Sequence, residues 1–331
     1  MTGFGAFCQY YGLQEMRRYM GGRWRRILML SLVLFSLTGC KSTEDTERQE
    51  KRNIRIGVVT KSGNSEYWLS VCAGVKDAAD KLGVEAVILS PDSETQKDIQ
   101  KNMILDLLKS DVQAIAVSPV DSGDIREYME EAGKKGIPVY ACDTPLECDG
   151  IPYIGIDNEK MGYDLAKALA EAMGHKGHLG VISGDLAQAS HRLRVEGFKK
   201  YMEQEPDMTI EMVESGYSNL RVSQSDVEKI LDKYPDLEGI MTTSAVTALG
   251  LAEATEGTGI RIVSVDTQED ALDAVKEGKI TALGAQSGYE IGYETVDYIV
   301  KELKGEGTGK DRIIDSLVLT EANIEEYEDA S

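Results

Sequence analysis

The sequence predicts two similar α/β lobes, each a doubly wound parallel sheet. Three observations carry that expectation. Short apolar, β-rich runs recur ten times along the chain. Most of them are continuously apolar rather than alternating, the pattern of strands buried on both faces of a sheet. Segments of helical period stand between most of the runs, and alternating strand and helix argue for parallel sheets covered on both sides.

In order, the runs are Ile54–Thr60, Val84–Ser90, Ala114–Ser118, Ile137–Cys142, Tyr153–Asp157, Leu179–Ser183, Thr209–Glu214, Gly239–Thr243, Arg261–Asp266 and Thr281–Gln286. The segment after the first shows the helical period clearly, with Trp68, Val71, Cys72, Val75, Ala79 and Leu82 spaced to share one face. Ten strands are more than one compact parallel sheet usually needs, and the chain carries a weak duplication. The fourth run closes on Cys142-Asp143-Thr144 and the ninth on Val265-Asp266-Thr267, so each Asp-Thr ends a late strand of its own half. The first crossing between halves is expected near Ile156-Asp157. The expected boundaries are 54–156 with about 287–310 for the N-terminal lobe, and 157–286 with about 311–331 for the C-terminal lobe.

Residues 1–39 read as a targeting segment rather than as part of the fold. Arg23, Arg25 and Arg26 precede the apolar stretch Ile27–Leu37, which is shorter than the ~20 residues of a comfortable membrane span. The stretch ends in Leu37-Thr38-Gly39-Cys40, which looks like a bacterial lipobox and makes Cys40 the expected lipidation site; an ordinary signal peptide or a short anchor helix is the alternative. Residues 1–19 play no part in this scheme, and Met20 is a candidate start. Residues 40–53 are polar after the cysteine and read as a solvated tether.

The whole chain carries a formal net charge of −21; without residues 1–39 it holds 31 basic and 56 acidic groups, a net of −25. Such a body repels phosphate backbones, which argues against nucleic-acid binding. Export permits a disulfide between Cys142 and Cys148 in "CDTPLEC", and two thiols are the equal alternative. Cys72 falls at an apolar helical position.

In parallel α/β sheets, ligands bind beyond the carboxyl ends of the strands. There the sequence places Asn64-Ser65-Glu66-Tyr67-Trp68 after the first strand, Asp92 after the second, Asp121 after the third and Asp143 at the end of the fourth. Ser190, His191, Arg192 and Arg194 follow the sixth, Ser244 the eighth, and Asp266 and Gln286 end the ninth and tenth. Aromatics, carboxylates, an amide, a hydroxyl and guanidinium groups together suit a neutral polyol, whose hydroxyls need donors and acceptors at once and whose C–H face suits an aromatic plane.

These residues resemble the type I periplasmic sugar-binding proteins, the ribose- and galactose-binding class of ABC-transporter receptors. The resemblance runs from about Ile54 to Leu319. It rests on "GNSEYW", "VYACDT", "IGIDN", "SHRLRVEGF", "TALG", "VSVDT" and "GAQSGYEIG", seven motifs in register. It implies a two-lobed fold with a multi-strand hinge and a sugar ring sandwiched by Tyr67 and Trp68. It also implies hydroxyl contacts from Asp143, from Arg192 as the first Arg of R-x-R-x-E-G-F, and from Asp266 and Gln286, with Asn64 at the family's Asn turn. Two positions depart from the ribose type. Thr144 stands where Arg often follows the strand-four Asp, and Ser244-Ala245 where the family has Asn-Asp, so specificity has moved away from ribose while the ligand class survives.

Plainer roles stand beside these. Trp68 is in phase with the apolar stripe and could be core, Asp143 and Asp266 could cap helices, Arg192 could form a surface ion pair, and Gln286 could be a satisfied hinge residue. His175 and His178 lack further ligands for a metal. "GEGTGK" at 305–310 lacks the Ser or Thr after Lys310 and the strand before it that a phosphate loop requires. No nucleophile motif is apparent, so neither catalytic residues nor a cofactor are expected. The leading expectation is a monomeric, lipid-anchored receptor on the extracytoplasmic face that delivers a sugar to an ABC permease. The alternative is a receptor whose closed form is read by a membrane sensor kinase or chemoreceptor.

Overall fold

The computed structural model describes residues 54–215 and 224–330; the targeting segment, the tether and Cys40 lie outside the described residues. Each of the ten apolar runs forms a strand. The first five are β1 (Arg55–Val59), β2 (Glu85–Leu89), β3 (Ala114–Val117), β4 (Val139–Cys142) and β5 (Tyr153–Gly155). The second five are β6 (Gly177–Ile182), β7 (Met208–Glu214), β8 (Leu237–Thr242), β9 (Arg261–Val265) and β10 (Ala282–Ala285). Two short strands follow that the sequence did not signal, β11 (Arg312–Ile313) and β12 (Leu317–Leu319).

The strands form two six-stranded sheets, ordered β11-β5-β4-β3-β1-β2 and β12-β10-β9-β8-β6-β7. Reading each order from its far end gives the same winding twice, so β4 and β9 hold equivalent places, as do β5 and β10. Every pairing is parallel except β10 with the terminal β12. The inner strands β3 and β4 are buried throughout, as continuous apolar runs require, whereas the edge strand β7 alternates buried and exposed residues. The chain crosses between sheets three times: after β5, after β10, and between Ile313 and Leu317. The third crossing falls slightly beyond the 310/311 division expected from the sequence.

Ten helices cover the sheets among the described residues: α1 (Glu66–Leu82), α2 (Lys97–Lys109), α3 (Arg126–Lys135), α4 (Asn158–Met173), α5 (Ala189–Met202), α6 (Gln224–Lys233), α7 (Ala245–Ala254), α8 (Glu269–Lys276), α9 (Gly288–Leu303) and α10 (Ile324–Ala330). The helix that follows the fifth strand of each half packs in the other half. Helix α4, after β5, lies against α5 and touches β8, β9 and β10; helix α9, after β10, lies against α1 and touches β4 and β5.

The two exchanged pairs are built alike, each on two glycines. A Cβ on Gly74 would fall 1.9 Å from the Tyr289 carbonyl oxygen, and one on Gly292 2.1 Å from that of Val71. In the other lobe a Cβ on Gly162 would fall 1.9 Å from the Arg194 carbonyl oxygen, and one on Gly197 1.9 Å from that of Glu159. Gly162 and Gly292 are both the fifth residue of their helix, and Gly74 and Gly197 both the ninth. The duplication seen faintly in the two Asp-Thr pairs therefore extends to the packing of helix on helix.

Cys142 is a free, buried thiol that accepts from Thr295 Oγ1 at 3.2 Å, so no bridge joins it to Cys148. Burial pushes its pKa up to about 12, which leaves it a neutral core group. The "GEGTGK" stretch lies in the loop between α9 and β11.

Candidate functional site

The carboxyl ends of both sheets meet at one narrow, partly open polar cavity. The lobes touch at its rim, where Arg192 pairs with Glu147 and Lys97 with Asp185.

Seven segments carry the lining residues, and local structure places each. After β1 the chain passes Lys61 and turns at Gly63 into α1, capped by Ser65 Oγ, which accepts from the Trp68 amide. This brings Tyr67 and Trp68 to the cavity. Their rings meet edge to face, with centroids 5.2 Å apart and planes inclined at 78°. They form a corner, and in this conformation they cannot sandwich a ring between parallel faces as the resemblance implies. Trp68 is 2% exposed and donates from Nε1 to Glu94 Oε1 at 2.9 Å, so it is at once core and cavity wall.

Asp143 and Asp266, directly after β4 and β9, both adopt the left-handed backbone conformation, with φ of 64° and 82°. Asp is one of the few side chains that tolerates this region. Neither aspartate is the cap residue of a helix here. Asp143 is well supplied: Tyr67 Oη donates to Oδ2 at 2.6 Å, Thr144 Oγ1 donates to Oδ1 at 2.7 Å, and Lys61 Nζ lies 3.5 Å from Oδ1. Among the described residues Asp266 has one such partner, Gln286 Nε2 at 2.7 Å. Burial raises the Asp266 pKa against the opposing pull of Arg194 and Gln286. Burial, with the charges of Asp143 and Asp266, likewise holds the Tyr67 phenol well above its usual range.

Helix α5 supplies Ser190, His191 and Arg194. Arg194 is 4% exposed; its Nε donates to Asn158 Oδ1 at 2.8 Å and its Nη1 to the Thr243 carbonyl at 3.1 Å. Asn158 in turn donates to Tyr153 Oη, which lies 2.8 Å from the Asp143 carbonyl oxygen. This chain of contacts spans the first crossing and ties the cavity guanidinium to the backbone of the strand-four aspartate.

The structure assigns that guanidinium to Arg194 and not, as the motif suggested, to Arg192. The reason is helical phase. At about 100° per residue, Arg194 returns to within about 40° of Ser190, whereas Arg192 lies about 200° away. Arg192 pairs instead with Glu147 of the opposite lobe at 2.7 Å and donates to the Leu186 carbonyl. It belongs to the rim where the lobes touch. Nearby, Lys97 lies 3.1 Å from Asp121 and 3.2 Å from Asp185 across the cleft. The Ser122 amide donates to the Ala187 carbonyl at 2.9 Å, and the Ala189 amide to Ser122 Oγ at 2.9 Å. Asn64 is also outside the lining; it is exposed at the turn before α1, where its Oδ1 accepts from Ser62 Oγ. Asp92 does not reach the cavity either, and it is exposed.

Ser244 lines the cavity, its hydroxyl 2.8 Å from Thr247 Oγ1. Gln286 lines it too and is 5% exposed; its Oε1 has no partner among the described residues. The structure therefore brings Tyr67, Trp68, Asp143, Ser244, Asp266 and Gln286 together. It adds residues the sequence reading did not select. Lys61, 3% exposed, supplies the cation beside Asp143 that the resemblance leads one to look for at position 144. Glu94, 7% exposed, comes from the loop after β2. A lone lysine directly beyond a buried strand was the available signal for Lys61. Glu94 had none, since nothing sets it apart from Asp92 in the same polar loop.

Among the described residues, no group of three or more metal-ligating side chains occurs, and no helix is long and apolar enough to cross a membrane. His175 and His178 are exposed partners of Glu205 and Glu211.

Two lobes of duplicated α/β topology, three crossings and a polar cavity between the sheet ends define a cleft-type solute-binding protein. The chain belongs to the periplasmic binding protein domain family, whose model matches residues 56–307, and its fold is that of the type I members. It is similar to the ribose import binding protein of Bacillus subtilis, 26% identical over 273 residues, covering 80% of this chain and 88% of the relative. It is also similar to the D-apiose import binding protein of Paraburkholderia graminis, 24% identical over 310 residues, covering 91% and 95%. Both relatives are import binding proteins rather than enzymes. Among solved structures, the glucose-galactose binding protein GanP of Geobacillus stearothermophilus matches with a TM-score of 0.76 at 26% identity, covering 82% of this chain and 99% of that one.

Proposed function

We propose that this chain is an extracytoplasmic receptor, anchored by lipid on Cys40, that binds a neutral sugar or related polyol between its lobes and delivers it to an ABC importer. The observation that carries the reading is the composition of the cavity. An aromatic corner, two aspartates on equivalent strands, a buried guanidinium and an amide with a spare acceptor converge there from both lobes. The sugar-import names of the relatives support the same ligand class.

Asp143 and Asp266 accept from ligand hydroxyls, Arg194 donates to hydroxyl oxygens, and Gln286 Oε1 accepts. Because these groups sit on both lobes, only the closed form engages all of them, and that differential affinity shifts the population toward closure. Micromolar affinity needs about −8 kcal/mol, within reach of several net hydrogen bonds at about 1 kcal/mol each plus an apolar contact.

The test is thermal melting of the purified protein against pentoses, hexoses and cyclitols. A true ligand at a hundredfold excess over Kd stabilises the fold by about 2.7 kcal/mol and raises Tm accordingly. A panel without a responder, with no sugar released on denaturation, overturns the reading. For the anchor, Cys40→Ala is expected to move the protein from the membrane to the soluble fraction; retention of the variant at the membrane overturns lipidation at that site.

A further inference from the structure

His191 is the cavity side chain with no visible employment. It is 5% exposed, and neither Nδ1 nor Nε2 has a hydrogen-bond partner among the described residues. Buried polar groups are paired in the great majority of cases, so two orphaned nitrogens on one ring call for a physical account.

The ring packs closely on the chain beneath it. It lies on Gly184: a Cβ there would fall 2.4 Å from His191 Nε2 and 2.5 Å from its Cδ2. Gly184 is itself fixed, its amide donating to Thr243 Oγ1 at 2.9 Å. The polar groups nearest in the helix are already engaged. Lys61 Nζ donates to Ser190 Oγ at 3.2 Å, with Thr144 Oγ1 3.0 Å from the same oxygen, and Arg194 is committed to Asn158 and Thr243. The protein thus places an imidazole at the cavity wall and offers it no partner among the described residues.

The chemistry of the missing partner follows from the protonation state. Burial, reinforced by Lys61 and Arg194, holds His191 well below the usual histidine range. The ring is therefore neutral near pH 7, with one nitrogen donating and the other accepting. A carboxylate would satisfy only the donor, and it would meet Asp143, Asp266 and Glu94 across the same cavity. A hydroxyl both gives and accepts, and so matches either nitrogen.

We propose that His191 is a specificity-determining contact that reads a hydroxyl group of the bound polyol from the α5 side of the cavity, with Gly184 as its positioning residue. This rests on the polyol reading above.

The experiment is calorimetric titration of the purified full chain with the responding sugar and each of its monodeoxy analogues. His191→Leu is expected to weaken the parent sugar 10- to 100-fold. It should leave one monodeoxy analogue bound as tightly as wild type binds it, because that analogue lacks the hydroxyl His191 reads. His191→Gln, which keeps a donor and an acceptor, is expected to recover part of the loss. Gly184→Ala, which displaces the ring without touching ligand, should reproduce the His191→Leu pattern across the analogues. The proposal is overturned if His191→Leu binds the parent within twofold of wild type, or if it loses the same factor for the parent and every analogue. A wild-type protein that binds no polyol overturns both this proposal and the reading beneath it, whereas wild-type binding with an indifferent His191→Leu overturns this one alone.

Discussion

Asp143 and Asp266 end equivalent strands of the two lobes, share a left-handed backbone and face one cavity, but their surroundings differ. Among the described residues, Asp143 has a tyrosine, a threonine and a lysine around its carboxylate, and Asp266 has one amide. The duplicated fold copied the backbone position and left the side-chain environment free to diverge. On the proposed function, a ligand hydroxyl adds to the sphere of Asp266 but must compete with Tyr67 or Lys61 at Asp143. The N-terminal aspartate is thus tied into the fold, and the C-terminal one is poised for an arriving partner.

Separating stability from binding tests this comparison most sharply. Asp143→Ala leaves Lys61 buried without its counter-charge, and breaking a buried pair from one side costs about 3–5 kcal/mol. A large drop in the ligand-free melting temperature is expected. Asp266→Asn removes a carboxylate whose pKa burial already raises, so little ligand-free stability should be lost, while affinity falls by about 1–3 kcal/mol for the hydrogen bond left unmade. Equal effects of the two substitutions on ligand-free melting would erase the distinction.

A second test addresses what the lobes share. Gly162→Ala and Gly292→Ala each force a methyl against a backbone carbonyl at matching places, at about 1–3 kcal/mol or more. Similar losses are expected in urea unfolding. Only Gly162→Ala should also weaken ligand binding, because its neighbour is the backbone of Arg194.

The pH dependence concerns His191. Its folded pKa lies below the ordinary 6.5, so the unfolded chain takes up a proton first as pH falls. Stability is therefore full above about pH 6.5 and is lost below it, by up to about 1.4 kcal/mol per pH unit until the folded ring titrates. His191→Gln should be flatter than wild type in this window; identical profiles would remove the buried histidine from the account. Asp266 acts in the opposite sense, since its raised pKa favours the folded state as it protonates. It is unchanged in both proteins and drops out of the difference.

The smallest effect is expected at Arg192→Ala, which removes a partly exposed pair at the rim. It should cost under about 1 kcal/mol and change affinity little, whereas Arg194→Ala should weaken binding strongly. A reversal of that order would restore the motif-based assignment.

These cases show what a sequence can carry. Most of the first ten strands were legible because they lie in continuous apolar runs set between helical segments. Strands β11 and β12, of two and three residues with charged neighbours, leave no such pattern. Asp143 and Asp266 were visible because a polar residue at the end of an apolar strand stands out. Arg192 and Arg194 differ by two places in one motif, and only the phase of α5 tells which enters the cavity. Glu94 depends on how an irregular loop folds back beside Trp68, and no local pattern encodes that.

The exchanged helices have a consequence for how the molecule comes into being. The N-terminal lobe needs α9 and β11, which close only at Ile313, so its 54–156 stretch emerges from synthesis lacking a covering helix and an edge strand. The C-terminal lobe in turn ends its sheet with Leu317–Leu319. Neither lobe can complete itself early while the other is still being made. A chain wired in this way completes neither lobe before Ile313, which, on the proposed function, suits a protein exported before it folds.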